Sequence, residues 1–293
     1  MSNQHKAYLY AGLTVFFWST VATAFKIALR SHNYVQLLVV ANITALLVFT
    51  LLLVLQGKIH ALKKVTLAGI GLSALQGLLN PFAYYLLVFK AYSLLPAQVA
   101  QPANFIWPVV LMLLSAPLLK QPLRLTGFIA IFISFGGVLI LSTQGHLHEF
   151  MMVEPLGIAL ALLSSVAWSL FWIVNLRDHR DNIVKLFLSF LFSAVYVLAL
   201  ALLTGNLPEL SKPMIAPFYI GLFEMGITFA FWLKALQLSD STGRVANFIY
   251  LTPFISLFFI HFILHERLYY TSLIGLCLII GGILVGRIKN GVR

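Results

Sequence analysis

Charge is scarce in this chain: charged side chains make up 9% of its 293 residues, and only eight are acidic. With 61% of residues hydrophobic and a mean hydropathy of +0.97, too little polar surface exists to cover a water-soluble globule of this size. Cysteine is nearly absent. Cys277 stands alone in the last apolar run, which excludes an intrachain disulfide and a multi-cysteine metal site and leaves it a packing residue by expectation. Long polar stretches are missing as well. The longest gaps between apolar runs, such as Thr143 to Glu154, are too short for a soluble domain. There is no P-loop, so ATP hydrolysis by this chain is excluded as an energy source, and no HExxH, G-x-S-x-G elbow or set of histidine boxes marks a hydrolase or desaturase. His261 and His265, four apart beside Glu266, together with His146, His148 and Glu149, are the nearest approach to a metal constellation. A membrane-embedded metal-dependent enzyme is therefore the alternative from another class, while the expectation is no enzyme, no catalytic residue, no cofactor and no metal.

What the chain has is apolar runs of spanning length, about 20 residues for a bilayer core of roughly 30 Å. They fall near Ala7–Leu29, Tyr34–Leu55, Val65–Phe89, Leu95–Leu119 and Leu123–Ser142, then Pro155–Asn175, Ile183–Thr204, Pro213–Leu236, Gly243–Leu264 and Tyr269–Ile288. The predicted fold class is an all-α integral membrane protein with ten transmembrane helices. The net charge of +11 is scattered over the connections with no dense stripe for a phosphate backbone, which argues against a nucleic-acid partner. Of the 19 Lys and Arg, 14 fall in connections on the side of the N-terminus, among them Lys58, Lys63, Lys64, Arg177, Arg180 and Lys185. Four, Arg30, Lys90, Lys212 and Arg267, fall on the other, and Lys26 lies inside a span, near whose end it is expected to snorkel. The asymmetry predicts that both termini are cytoplasmic. Lys6, the first apolar run and Ala22-Thr23-Ala24 imitate a signal peptide, but the run is expected to be retained, because cleavage would leave nine helices and break the repeat below.

The second five spans repeat residues of the first five. Pro108 and Pro253, Gln121 and Glu266, Leu123 and Leu268, Gly136 and Gly281, and Gly137 and Gly282 are each 145 apart. Ala103-Asn104-Phe105-Ile106 returns as Ala246-Asn247-Phe248-Ile249, Lys90-Ala91 as Lys234-Ala235, and Trp18-Ser19 as Trp168-Ser169. The expected organisation is two five-helix repeats, residues 1–145 and 146–293. An odd number of spans per copy inverts the second relative to the first and predicts a substrate site near the midplane. Gly282 and Gly286 fit a small-xxx-small pattern for close helix contact.

These residues carry a family resemblance over nearly the whole chain. The ten-span layout, the Trp-Ser pairs, Pro108 and Pro253, the Glu266-Arg267-Leu268 turn and the glycine-rich fifth spans are similar to the drug/metabolite transporter superfamily, EamA-like branch. Gln101 to Pro108 resembles a segment of its bacterial aromatic amino acid exporters; Trp232 and Leu251-Thr252-Pro253 also have counterparts there. The chain departs from the pattern at Gln121-Pro122 and Asn80-Pro81. The resemblance implies export of amino acids, aromatic ones among them, or related small metabolites across a bacterial inner membrane. A sugar-phosphate or nucleotide-sugar exchanger is the alternative within transport, disfavoured because phosphates need several buried Arg or Lys and only Lys26 lies inside a span.

Polar side chains inside spans are expected to turn away from lipid. Helical spacing groups Asn80 with Tyr84, Gln101 with Asn104 and Trp107, Asn247 with Tyr250, Trp168 with Trp172 and Asn175, and Glu224 with Thr228 and Trp232. The candidate substrate-binding residues are Trp18, Asn80, Tyr84, Gln101, Asn104, Trp107, Trp168, Glu224, Trp232, Asn247 and Tyr250. Indole and phenol rings with a few amides suit a partly apolar solute bearing an ammonium or planar group. Glu224 alone among the acidic residues lies well inside a span, where desolvation favours its neutral form; it is the candidate for proton coupling. Pro81, Pro102, Pro108 and Pro253 are expected to break or bend helices. The expected partners are a small-molecule substrate and the lipid bilayer, and the unit is a monomer or homodimer.

Overall fold

The computed structural model describes residues 2–120, 125–144, 154–209, 211–240, 245 and 248–286. Asn247 and the potential metal-type residues His146, His148 and Glu149 lie outside these. Among the described residues there is no strand. The helices are α1 (Asn3–Leu29), α2 (Tyr34–Leu55), α3 (Ile59–Leu62), α4 (Leu67–Gly77), α5 (Tyr84–Leu94), α6 (Ala97–Asn104), α7 (Trp107–Leu118), α8 (Leu125–Ser142), α9 (Pro155–Leu176), α10 (Asn182–Leu203), α11 (Ile215–Tyr219), α12 (Thr228–Leu238), α13 (Thr252–Leu264) and α14 (Tyr270–Gly286). Among the described residues eight helical stretches are long and apolar enough to cross a membrane, and the chain is a multi-pass membrane protein. Phe248–Leu264 and Tyr270–Gly286, where the last two spans are expected, form shorter apolar helices.

Local chemistry explains the boundaries. Asn33 caps α2 by accepting from the amides of Val35 and Gln36, and Gln36 returns a bond to the Asn33 amide. Asp181 caps α10 in the same way through Ile183 and Val184. Both helices have 22 residues, and each is followed by a left-handed glycine, Gly57 (φ 64°) or Gly205 (φ 66°), a conformation in which a Cβ would be strained. These features recur at one spacing of 148 residues.

Prolines divide the spans. Between α4 and α5 the turn Leu78–Ala83 holds Pro81, and Asn80 is extended (φ −151°, ψ 124°), as the residue before a proline prefers. Asn80 and Tyr84 are therefore not on one helical face, contrary to expectation. Phe105 and Ile106 likewise separate α6 from α7, so Gln101 and Asn104 do not share a continuous helix with Trp107. Pro108 and Pro253 mark breaks between helices and do not bend helix interiors. Each sits in the first turn of its helix, α7 or α13, where a missing N–H leaves no bond unmade. Between α11 and α12, Ile220–Ile227 is a wide π-helical turn containing Glu224.

The chain forms two compact units, each drawing on both halves of the sequence. The first comprises Met1–Phe82 and Arg180–His265. In it α1 packs on α12 and α13, the wide turn on α2, α2 on α10 and α10 on α4. Lipid gives no hydrophobic drive to helix association, so small residues at the contacts matter. Gly77 packs on the Ser189 carbonyl, and Gly221 lies against Ala41 and Thr44. The second unit comprises Ala83–His179 and Glu266–Arg293. Here α9 packs on α5, α6 and α7, with Ala91, Ala103 and Ala161 forming a buried cluster. Helices α8 and α14 cross where Gly137 meets Gly275, and Gly282 rests on Ala130 and Ser134, which realises the expected glycine packing. Cys277 is exposed on α14 instead of packed.

Candidate functional site

In the first unit, rings gather at the wide turn. Trp18 of α1 lies 5.9 Å from Trp232 and 6.1 Å from Phe229, centroid to centroid. Its indole N–H donates at 3.5 Å to the backbone carbonyl of Glu224. Widening a turn disrupts the regular i→i−4 ladder, and such turns often occur at functional positions. Glu224 itself is 9% exposed, Trp232 and Tyr250 are buried, and Trp18 is half-buried. One turn on, the buried Thr228 hydroxyl has no hydrogen-bond partner among the described residues. Phe17 stacks on Phe223 of this turn at 4.6 Å, and the Thr20 and Tyr219 hydroxyls meet at 2.7 Å, fixing α1 against the turn and the end of α11. Lys26, in the last turn of α1, is half-buried.

The second unit holds a separate cluster. The Tyr84 hydroxyl donates to Asn104 Oδ1 at 3.3 Å, and Asn104 Nδ2 donates to Ser164 Oγ at 2.8 Å. Trp168 lies 4.8 Å from the Tyr84 ring, 6.4 Å from Trp107 and 5.9 Å from Trp172. Ser169 donates to the Trp107 carbonyl at 3.0 Å, tying α9 to the start of α7. Gln101 Oε1 and Trp172 Nε1 are buried with no partner among the described residues. Glu266 caps α6, accepting from the amides of Ala97 (3.0 Å) and Gln98 (3.3 Å). Gln98 in turn bonds the Arg267 carbonyl, the Tyr269 amide and the Ser272 hydroxyl. The Glu266-Arg267-Leu268 turn thus positions the helix that carries Gln101 and Asn104.

The structure brings Trp18, Glu224 and Trp232 together in one unit, and Tyr84, Asn104, Trp107 and Trp168 in the other. Asn80 falls in the first unit and Tyr84 in the second. Asn80 is 1% exposed, and both its amide atoms lack a partner among the described residues. It also has a counterpart: Lys234 follows Lys90 by 144 residues, and Glu224 follows Asn80 by the same 144, so both irregular turns carry a polar residue at one repeat position. Sequence reasoning did not single out Ser164, Phe229, Asn42, Gln76, Ser189 or Ser193. Apart from Phe229, one apolar ring among many, their signal is polar residues at helical spacing inside apolar runs, which serine gives only weakly.

Comparison with known proteins agrees with this architecture. One profile, that of the EamA-like transporter family, matches twice, at residues 5–143 and 155–286. The chain is 26% identical over 220 residues to the uncharacterized transporter YvbV of Bacillus subtilis (strain 168), covering 73% of this chain and 70% of that protein. It is 23% identical over 178 residues to an uncharacterized transporter of Archaeoglobus fulgidus, covering 58% and 59% respectively. A solved crystal structure superposes with a TM-score of 0.65 over 97% of both chains at 20% identity, a likeness of fold alone. With most of its length matched by one profile in two copies, the chain belongs to the EamA-like transporter family of the drug/metabolite transporter superfamily.

Proposed function

We propose that the chain is a secondary transporter exporting amino acids, aromatic ones among them, or related small metabolites across a bacterial inner membrane by alternating access. Both termini are cytoplasmic, and residues 1–145 and 146–293 act as inverted repeats. The observation that carries this reading is the gathering of aromatic rings around polar groups inside apolar spans, at Glu224 in one unit and Asn104 in the other. Ring faces offer stacking and cation–π attraction, and the carboxylate and amide orient an ammonium or a carboxylate. Trp18, Asn80, Tyr84, Gln101, Trp107, Trp168, Trp232, Asn247 and Tyr250 complete the substrate-binding set. Glu224 binds a proton and the ammonium group of the solute in alternation and couples export to the proton gradient.

Matched contacts support the repeat. The Gly77–Ser189 and Gly221–Ala41 approaches map onto each other at spacings of 144 and 148, and Gly137–Gly275 maps onto Gly282–Ala130 at 145. Counterflow in proteoliposomes tests the function. Saturable exchange of labelled amino acids is expected, and Glu224→Gln should abolish it at every pH. No saturable counterflow for any amino acid would overturn the substrate class. Unaltered uptake and pH profile in Glu224→Gln would remove the coupling role.

A further inference from the structure

Ser73, Gln76 and Asn80 recur along α4 and into the turn that follows it, at spacings that keep Ser73 and Gln76 on one stripe. That stripe meets α10, because Gln76 Oε1 lies 3.4 Å from Ser189 Oγ. One turn further along α10, Ser193 Oγ accepts from Asn42 Nδ2 of α2 at 2.7 Å. All six side chains are buried, in helices whose other interior contacts are mainly apolar or small residues. Four of their polar atoms have no partner among the described residues: Ser73 Oγ, Asn42 Oδ1 and both amide atoms of Asn80. Buried polar atoms of this kind are normally satisfied by internal water or a small ion, since leaving them dry is costly.

The seam also has a polar end. One turn before Ser189 lies Lys185, 4% exposed, whose backbone carbonyl accepts from the Ser189 hydroxyl at 2.8 Å. Beyond it Arg180 donates to the Gly69 carbonyl at 2.8 Å, and Lys58 pairs with Asp181 at 2.7 Å on the exposed surface. From Lys185 to Ser193 the helix rises about 12 Å, more than a third of a bilayer core of roughly 30 Å.

We infer that the seam between α4, α10 and α2 is hydrated, open to water and to solutes little larger than water from the Lys185 end as far as Ser193. The inference stands apart from the identity of the exported solute, and its test reads no transport.

In a Cys277→Ala background, Ser189→Cys, Ser193→Cys and Ser73→Cys replace one small side chain by another, and Val195→Cys, on the 57% exposed side of α10, serves as the lipid-facing control. Membranes are treated with silver ion, quenched and denatured, and the remaining thiols are counted with a fluorescent maleimide. Silver should block the seam thiols roughly tenfold faster than the control, because the reactive thiolate forms where water reaches. Seam thiols blocked no faster than Val195→Cys would show a dry polar zipper and overturn the inference. Ser73→Cys, on the facing helix, supplies the answer if an α10 variant does not accumulate.

Discussion

Replacing Gly221 with alanine should push the wide turn away from α2, because the two pack through backbone. A Cβ at Gly221 would stand 2.5 Å from the Ala41 carbonyl oxygen and from Thr44 Cβ, whereas ordinary contact begins at 3.4 Å. The wide turn and α2 must therefore separate by 3.4 − 2.5 = 0.9 Å, and neither obstacle is a flexible side-chain end. Overpacking of this kind costs about 1–3 kcal/mol, with a backbone obstacle toward the upper end. Alanine's better helix propensity returns up to about 1 kcal/mol, leaving a net loss of about 1–2 kcal/mol. At roughly 2–4 °C per kcal/mol, the midpoint of thermal unfolding should fall by about 2–8 °C. The assay is thermal unfolding of purified protein in detergent, followed by tryptophan fluorescence. Gly71→Ala, in α4, is the control: nothing lies within 4 Å of its Cβ, so stability should hold or rise. Gly77→Ala should behave like Gly221→Ala, since its Cβ would meet the Ser189 carbonyl. A Gly221→Ala protein melting with or above the parent would refute the close-packing argument.

Asn104→Ala removes the bonds to Tyr84 and Ser164, and at about 0.6 kcal/mol each in a membrane protein it should cost only about 1 kcal/mol. Counterflow should fall much further than the unfolding midpoint; equal, small losses in both would make Asn104 a packing residue. Glu266→Ala leaves two amides at the start of α6 uncapped and should cost about 0.5–2 kcal/mol, read in the same melts, with Glu266→Gln falling between it and the parent. Stability should also depend on pH through His32. Burial, with Lys212 adding to it and the Ala28 backbone bond and Glu209 opposing, holds its imidazole below the ordinary 6.5. The folded protein thus takes up this proton less readily than the unfolded chain. Its contribution is present above pH 6.5 and is lost as pH falls from there toward the lowered value. Melts between pH 7.5 and 5.5 should flatten in His32→Gln, and superimposable profiles would contradict the assignment. Asp181 acts at more acid pH: burial alone would raise its carboxyl, but Lys58 and the amides of Val184 and Ile183 outweigh it. The net value is lowered, so its contribution holds above 3.8 and is lost as pH falls below that.

Membrane class, the positions of α2 and α10, and the recurrence of Trp18-Ser19 as Trp168-Ser169 follow from the order of residues alone. Transfer from water to lipid depends on how many apolar groups stand in a row, and a repeat is a comparison of letters. Asx caps and terminal glycines at 33, 57, 181 and 205 are local in the same sense, settled within one turn of helix. The site was only partly legible. Spacing rules presume an unbroken helix, and Pro81 separates Asn80 from Tyr84 while Phe105 and Ile106 separate Asn104 from Trp107. Tertiary structure alone decided that Trp18 meets Glu224, 206 residues away, and that Gln76 meets Ser189. Such pairings depend on which helix backbones approach closely enough for short side chains to touch, and glycines at 77 and 221 permit that only once the facing helix is in place.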